Sequence, residues 1–106
     1  MASQSFPTKF TSAAGTGSSA NLLAAVAGNS FKVWQLAVAN SGAAAAVTIV
    51  FTLDGTSQTL TVEAPASSTA VLPFSGAPWA AADVGTGVTF TAANTVTLGC
   101  YYTQAG

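Results

Sequence analysis

Hydrophobic and polar positions along this chain alternate with a period of two in several short runs. The clearest run is Val47, Ile49, Phe51 and Leu53, interleaved with Thr48, Val50 and Thr52. A second is Val96, Leu98, Cys100 and Tyr102, set against Thr95, Thr97, Tyr101 and Thr103. Val88, Phe90 and Ala92 alternate with Thr89 and Thr91 in the same way, and Leu60 and Val62 with Thr59, Thr61 and Glu63. Successive side chains of a strand point to opposite faces, so this period predicts half-buried β-strands.

Turn residues punctuate the runs. Gly28-Asn29-Ser30 precedes the run Phe31 to Ala39, and Asn40-Ser41-Gly42 closes it. Asp54-Gly55 is the strongest hairpin signal in the chain, because a two-residue turn of this type needs positive φ at both central positions. Pro65 ends the strand after the hairpin, and Pro73 restricts Ser68 to Phe74 to an edge or a strand end. Trp79 to Val84 is alanine-rich and fits helix or loop. No heptad or sustained 3.6-residue period competes. Seven or eight strands at this spacing predict an all-β domain, a single β-sandwich of jelly-roll type, with an immunoglobulin-like order as the alternative.

Residues 1–20 differ from the rest. Phe6, Pro7 and Phe10 are followed by Thr11-Ser12-Ala13-Ala14-Gly15-Thr16-Gly17-Ser18-Ser19, a low-complexity run without period. The expectation is a flexible, extended N-terminal arm over 1–20 and a sandwich over 21–106, with Phe6 and Phe10 as docking residues of the arm. At 106 residues the whole is one domain.

Charge changes the functional picture most. Only Lys9, Lys32, Asp54, Glu63 and Asp83 are charged, and there is no His or Arg. An ordinary domain of this length would carry about 26 charged residues. Two separated lysines cannot line a nucleic-acid groove or anchor an anionic membrane, so neither partner is expected. The most apolar window, Leu36 to Phe51, is interrupted by Asn40, Ser41, Gly42 and Thr48 and is too short to span a bilayer as a helix. The N-terminal residues lack the basic and apolar regions of an export signal. A single cysteine permits no intrachain disulfide.

Chemistry is scarce for the same reason. General acid–base catalysis relies on His or paired carboxylates. Asp54 opens a hairpin turn, Glu63 ends a strand, and Asp83 precedes Val84-Gly85, so each reads first as a local structural residue. Cys100 has no histidine to activate it and lies on the apolar side of its run, as a small buried hydrophobe. One cysteine cannot make a zinc site. Gly15-Thr16-Gly17 and Gly85-Thr86-Gly87 lack the following Lys and helix of a phosphate loop. The chain is therefore expected to be no enzyme and to need no cofactor or metal. Trp34, Phe51, Phe90 and Tyr102 read as core. Trp79, in a turn region, and Tyr101, opposite in direction to Tyr102, are the expected contact residues beside Phe6 and Phe10.

Several landmarks occur in a familiar order. Leu23-Ala24-Ala25-Val26-Ala27-Gly28-Asn29-Ser30-Phe31-Lys32-Val33 resembles a segment of small virion proteins of tailed bacteriophages, in which a Gly turn leads into a strand. Val50-Phe51-Thr52-Leu53-Asp54-Gly55-Thr56 is similar to their hairpin, and Pro78-Trp79, Val84-Gly85 and Gly99-Cys100-Tyr101-Tyr102 resemble further landmarks over residues 20–103. The chain departs from that pattern at Asn29, where Lys is common, and in its scarcity of charge. The resemblance implies a head-decoration or cement protein of the virion, assembled in the cytoplasm of the host bacterium. Such proteins form homo-oligomers, often trimers, on the major capsid protein or another virion protein. A carbohydrate- or receptor-binding sandwich of a fibre or tail is the alternative, and an enzyme using Asp54, Glu63 or Asp83 a weaker third.

Overall fold

The computed structural model describes residues 9–15 and 19–106. Nine strands follow in order: β1 (Lys9–Gly15), β2 (Ala20–Leu23), β3 (Ser30–Asn40), β4 (Ala45–Leu53), β5 (Thr56–Ala64), β6 (Ser68–Leu72), β7 (Ala80–Ala82), β8 (Val88–Ala92) and β9 (Val96–Ala105). They form two antiparallel sheets. The first has the order β1-β9-β3-β6, with β7 also pairing β3, and the second has the order β2-β8-β4-β5.

The hairpin at Asp54-Gly55 is the centre of this topology. Both residues have positive φ, 54° and 76°, as a tight hairpin of the mirror-image type requires. Outward from it the pairs are nested: β4 with β5, β3 with β6, β2 with β8 and β1 with β9. One long folded-over ribbon, wrapped so that successive pairs fall in alternate sheets, is a jelly roll. The all-β sandwich expected from the alternating runs is the fold of the chain. The ambiguous stretch after Trp79 contributes the short strand β7, whose alanines alternate between buried and half-buried positions.

Between the sheets lies one core. Val33, Leu36, Val38, Val96, Leu98 and Cys100 from the first sheet meet Val47, Ile49, Val62, Val88 and Phe90 from the second. Each fully buried large side chain in such a layer contributes about 1.5–3 kcal/mol. The expectation for Phe90 and Cys100 agrees with this core, and Phe51 and Tyr102 pack against it half-buried.

Trp34 does not, and the reason is local. A register shift between Val33 and Gln35 inserts an extra residue into β3. The buried positions therefore change phase, from Phe31 and Val33 to Leu36, Val38 and Asn40. Such a bulge re-aims a side chain. Trp34 turns outward, where its indole N–H donates to the Thr103 hydroxyl at 2.9 Å.

Of the N-terminal segment 1–20, Lys9–Gly15 is a strand. It pairs with β9 at every position from Lys9↔Tyr102 to Gly15↔Val96. Its residues show no apolar alternation because it lies at a sheet edge, with even Thr11, Ala13 and Gly15 only half-buried. At its end Gly15 lies against Phe90, where a side chain would have no room.

Candidate functional site

The outer face of the first sheet gathers three exposed apolar side chains, Phe10, Val71 and Tyr101. The register fixes which residues share a row. Phe10 of β1 lies opposite Tyr101 of β9, which lies opposite Gln35 of β3. In the next outward-facing row Ser12, Gly99, Ala37 and Val71 are neighbours across β1, β9, β3 and β6. In the row after it stand Ala14, Thr97, Ala39 and Thr69. Neither charge nor a large polar group other than Gln35 interrupts these three rows.

Phe10 and Tyr101 form a ring pair with centroids 5.0 Å apart and planes tilted by 54°. The Phe10 ring also lies across Gly99, 3.1 Å from where a Cβ would stand. The absence of a side chain at Gly99 thus leaves room for the edge of the ring. Tyr102, one residue on, turns inward and packs edge-on against Phe31 at 5.8 Å. Two of the aromatics singled out from sequence, Phe10 and Tyr101, are therefore brought together on one exposed face.

Trp79 sits elsewhere, at the entry to β7. Its main-chain N–H donates to the Val33 carbonyl at 2.8 Å. Its indole N–H donates to the Pro73 carbonyl at 2.9 Å, which ties the 73–79 loop back on itself. Phe6 lies outside the described residues. Val71 and Phe74 are exposed apolar residues that the sequence reading did not single out. A short edge strand with one outward valine has too little alternation to reveal them. Trp34 and Phe74 lie 5.9 Å apart beside the bulge.

Asp54 and Asp83 are brought together at the hairpin tip. Both Asp83 carboxylate oxygens accept main-chain N–H bonds from the turn, from Asp54 at 3.0 Å and Gly55 at 2.8 Å. The carboxylate that satisfies the hairpin backbone is thus that of Asp83, from the chain after β7, rather than that of Asp54 itself. Glu63 is at the far end of β5, exposed. Among the described residues no three His, Cys, Asp or Glu side chains come together as a metal site would require. The Cys100 thiol, walled in by the core, is pushed up to about 12 by desolvation.

A shallow groove of about 430 Å³ opens at the other end of the first sheet, lined by Asn40, Ser41, Ser67, Ser68, Thr95 and Thr97 among others. Its lining is neutral and short-chained, with hydroxyls and an amide but no titratable group. Asn40 is buried beneath it and holds the chain corner, accepting from the Gly42 N–H and donating to the Ala43 carbonyl at 2.8 Å and the Pro65 carbonyl at 3.2 Å.

Comparison with known protein families, with characterised proteins and with solved structures finds no match for this chain. The reading of its surface therefore rests on its own residues.

Proposed function

We propose that this chain is a non-enzymatic structural protein of a tailed-bacteriophage virion, a decoration or cement subunit that oligomerises on the capsid surface and stabilises it. The observation that carries the reading is the exposed Phe10–Tyr101 pair, set on a sheet face where it and the two rows beside it carry no charge. Aromatics at the centre of a neutral patch are what protein interfaces concentrate. Low charge removes the repulsion that would keep many copies apart. The resemblance of the landmarks over residues 20–103 to small virion proteins supplies the setting: the partners are further copies and the major capsid protein, and assembly takes place in the host cytoplasm. Many copies on a lattice then gain by multivalency what each contact lacks alone.

The test is co-sedimentation of the purified protein with candidate shells, followed by thermal melting of the shells with and without it. Stoichiometric binding and a raised capsid melting temperature are expected. A protein that ignores every shell defeats the proposal, and binding with an unchanged melt leaves decoration without reinforcement.

The second reading, a carbohydrate-binding module, draws on the same aromatics, since exposed rings on a sheet also stack on sugars. Titration with glycans decides it: saturable binding lost in Tyr101→Ala would favour that reading over the first.

A further inference from the structure

We infer that the outer face of the first sheet is a two-fold interface between two copies of this chain, packed sheet against sheet with their strands antiparallel. This rests on the assembly reading above and assigns it a surface and a geometry. Three features of the face argue for a second copy as its occupant.

The first is shape. Phe10 and Tyr101, 58 % and 46 % exposed, make a raised aromatic row at one level of the strands. The two next outward rows, Ser12-Gly99-Ala37 and Ala14-Thr97-Ala39, carry only small side chains; the Phe10 ring leans over Gly99, and Ala37, Thr97 and Ala39 form a trough beside it. Val71, 54 % exposed, stands at the margin of that trough on β6. A two-fold axis lying between the two faces and running across the strands sets the ridge of each copy over the trough of the other. Each surface is then its own complement, as a two-fold contact demands.

The second feature is charge. Lys32 lies beside Thr103 and Ala81, on the same outer face but beyond the aromatic row, and Lys9 is at the same end of the sheet. The antiparallel arrangement carries the lysines of one copy to the Ala39–Thr69 end of the other, so the four ammonium groups stay apart. A side-by-side arrangement with strands parallel would bring them together. No carboxylate on the face calls for a basic partner.

The third is area. The four strands hold 7, 10, 11 and 5 residues and, at about 4.8 Å between strands and ~3.3 Å per residue, present a flat footprint of roughly 520 Å² before the relief of the side chains is counted. A stable interface covers about 800 Å² on each partner. Sheets pack face to face in this manner inside sandwiches, with a modest twist between them.

The experiment is sedimentation equilibrium of the full chain over a range of concentrations. It compares the wild type, Phe10→Lys, Tyr101→Lys, and Thr59→Lys as a control on the outer face of the second sheet. Circular dichroism establishes that each variant is folded. The expected result is a species of two copies of the 10.4 kDa chain. Its dissociation constant should rise about 30-fold or more in Phe10→Lys and Tyr101→Lys and stay unchanged in Thr59→Lys. In a second measurement, Ala37→Cys, beside the inferred axis, should form a disulfide-linked dimer under mild oxidation, whereas Thr59→Cys should not. Cys100 is buried and gives little background.

A single-copy wild type at all concentrations overturns the inference, as does a three-copy species, since a self-facing contact closes at two. A dimer indifferent to both lysine variants overturns it as well. Capsid co-sedimentation separates the two levels: a monomer that still binds shells refutes the two-fold face and keeps the assembly reading. A monomer that binds none refutes both.

Discussion

Replacing the buried amide of Asn40 by a carboxyl tests how the corners of the sandwich are held. Asn40 is 3 % exposed. Its Nδ2 faces three carbonyl oxygens, those of Ala43 at 2.8 Å, Pro65 at 3.2 Å and Ala64 at 3.4 Å, and the Gly42 N–H donates to its Oδ1 at 3.0 Å. With two N–H donors it satisfies the nearer two and joins the β3–β4 turn to the β5–β6 corner. Asn40→Asp keeps the volume but replaces both donors with an oxygen. The ionised side chain donates to neither carbonyl. Ala43 keeps the Asn94 amide at 2.7 Å and Pro65 the Ser68 hydroxyl at 3.3 Å, so the loss is of two hydrogen bonds at about 0.5–1.5 kcal/mol each. The expected loss at pH 7 is therefore about 1–3 kcal/mol before any cost of burying the charge, against about 5–15 kcal/mol for a whole domain.

Burial and the facing carbonyls both oppose ionisation, so the introduced carboxyl has a folded-state pKa above the ordinary ~3.9. An acid whose folded pKa is raised holds its proton more tightly when folded. Its penalty is smallest below pH ~4 and grows as pH rises toward the folded value. The protonated form regains one donor and should recover about half of the hydrogen-bond loss. Urea denaturation followed by tryptophan fluorescence at pH 4 and pH 7 reads this as the difference from wild type at each pH, which cancels the native carboxylates. Asn40→Ala, with no charge to titrate, should lose stability equally at both. Wild-type stability of Asn40→Asp at pH 7, or a loss that does not change with pH, would refute the reasoning.

Other predictions follow from single contacts. Native Cys100 should resist iodoacetamide at pH 8, because burial lifts its thiol from 9.0 to about 12, and should react readily in urea; rapid native labelling would contradict the buried site. By the same shift the unfolded chain releases this proton first, so stability should fall as pH rises above about 9. Gly87→Ala should destabilise by about 1–3 kcal/mol or more, since its Cβ would lie 2.8 Å from the Ala25 nitrogen and closer still to the Leu23 carbonyl oxygen; a melting temperature within error of wild type would show that β2 can move aside. Asp83→Ala removes two charge-assisted bonds to the hairpin and should cost toward the low end of about 1.5–3 kcal/mol because the site is partly solvated. Amide exchange at Gly55 should quicken, and unchanged protection there would show the turn to be held by its own geometry.

The strands and their inward faces were legible in the chain because alternation is a local property. The burial of Leu98 and Cys100 beside exposed Tyr101 follows from residue spacing, and so does the hairpin at Asp54-Gly55, whose positive φ values suit few other residue pairs. Composition likewise bounds the chemistry, since five charged residues and no histidine restrict what any arrangement can do. Partner choice is not local. Nothing in Lys9–Gly15 announces that it closes the nested ribbon on β9, because an edge strand with little burial carries no apolar period. Trp34 has the spacing of a core residue, and only the bulge against β9, set by pairing, turns it outward. Asn40 and Asp83 look like turn residues from their neighbours alone. Their roles come from carbonyls and amides up to 29 residues away, which are brought near only by the packing of one sheet on the other. The exposed face that joins Phe10 to Tyr101 likewise exists only because β1 and β9, from opposite ends of the chain, share a register.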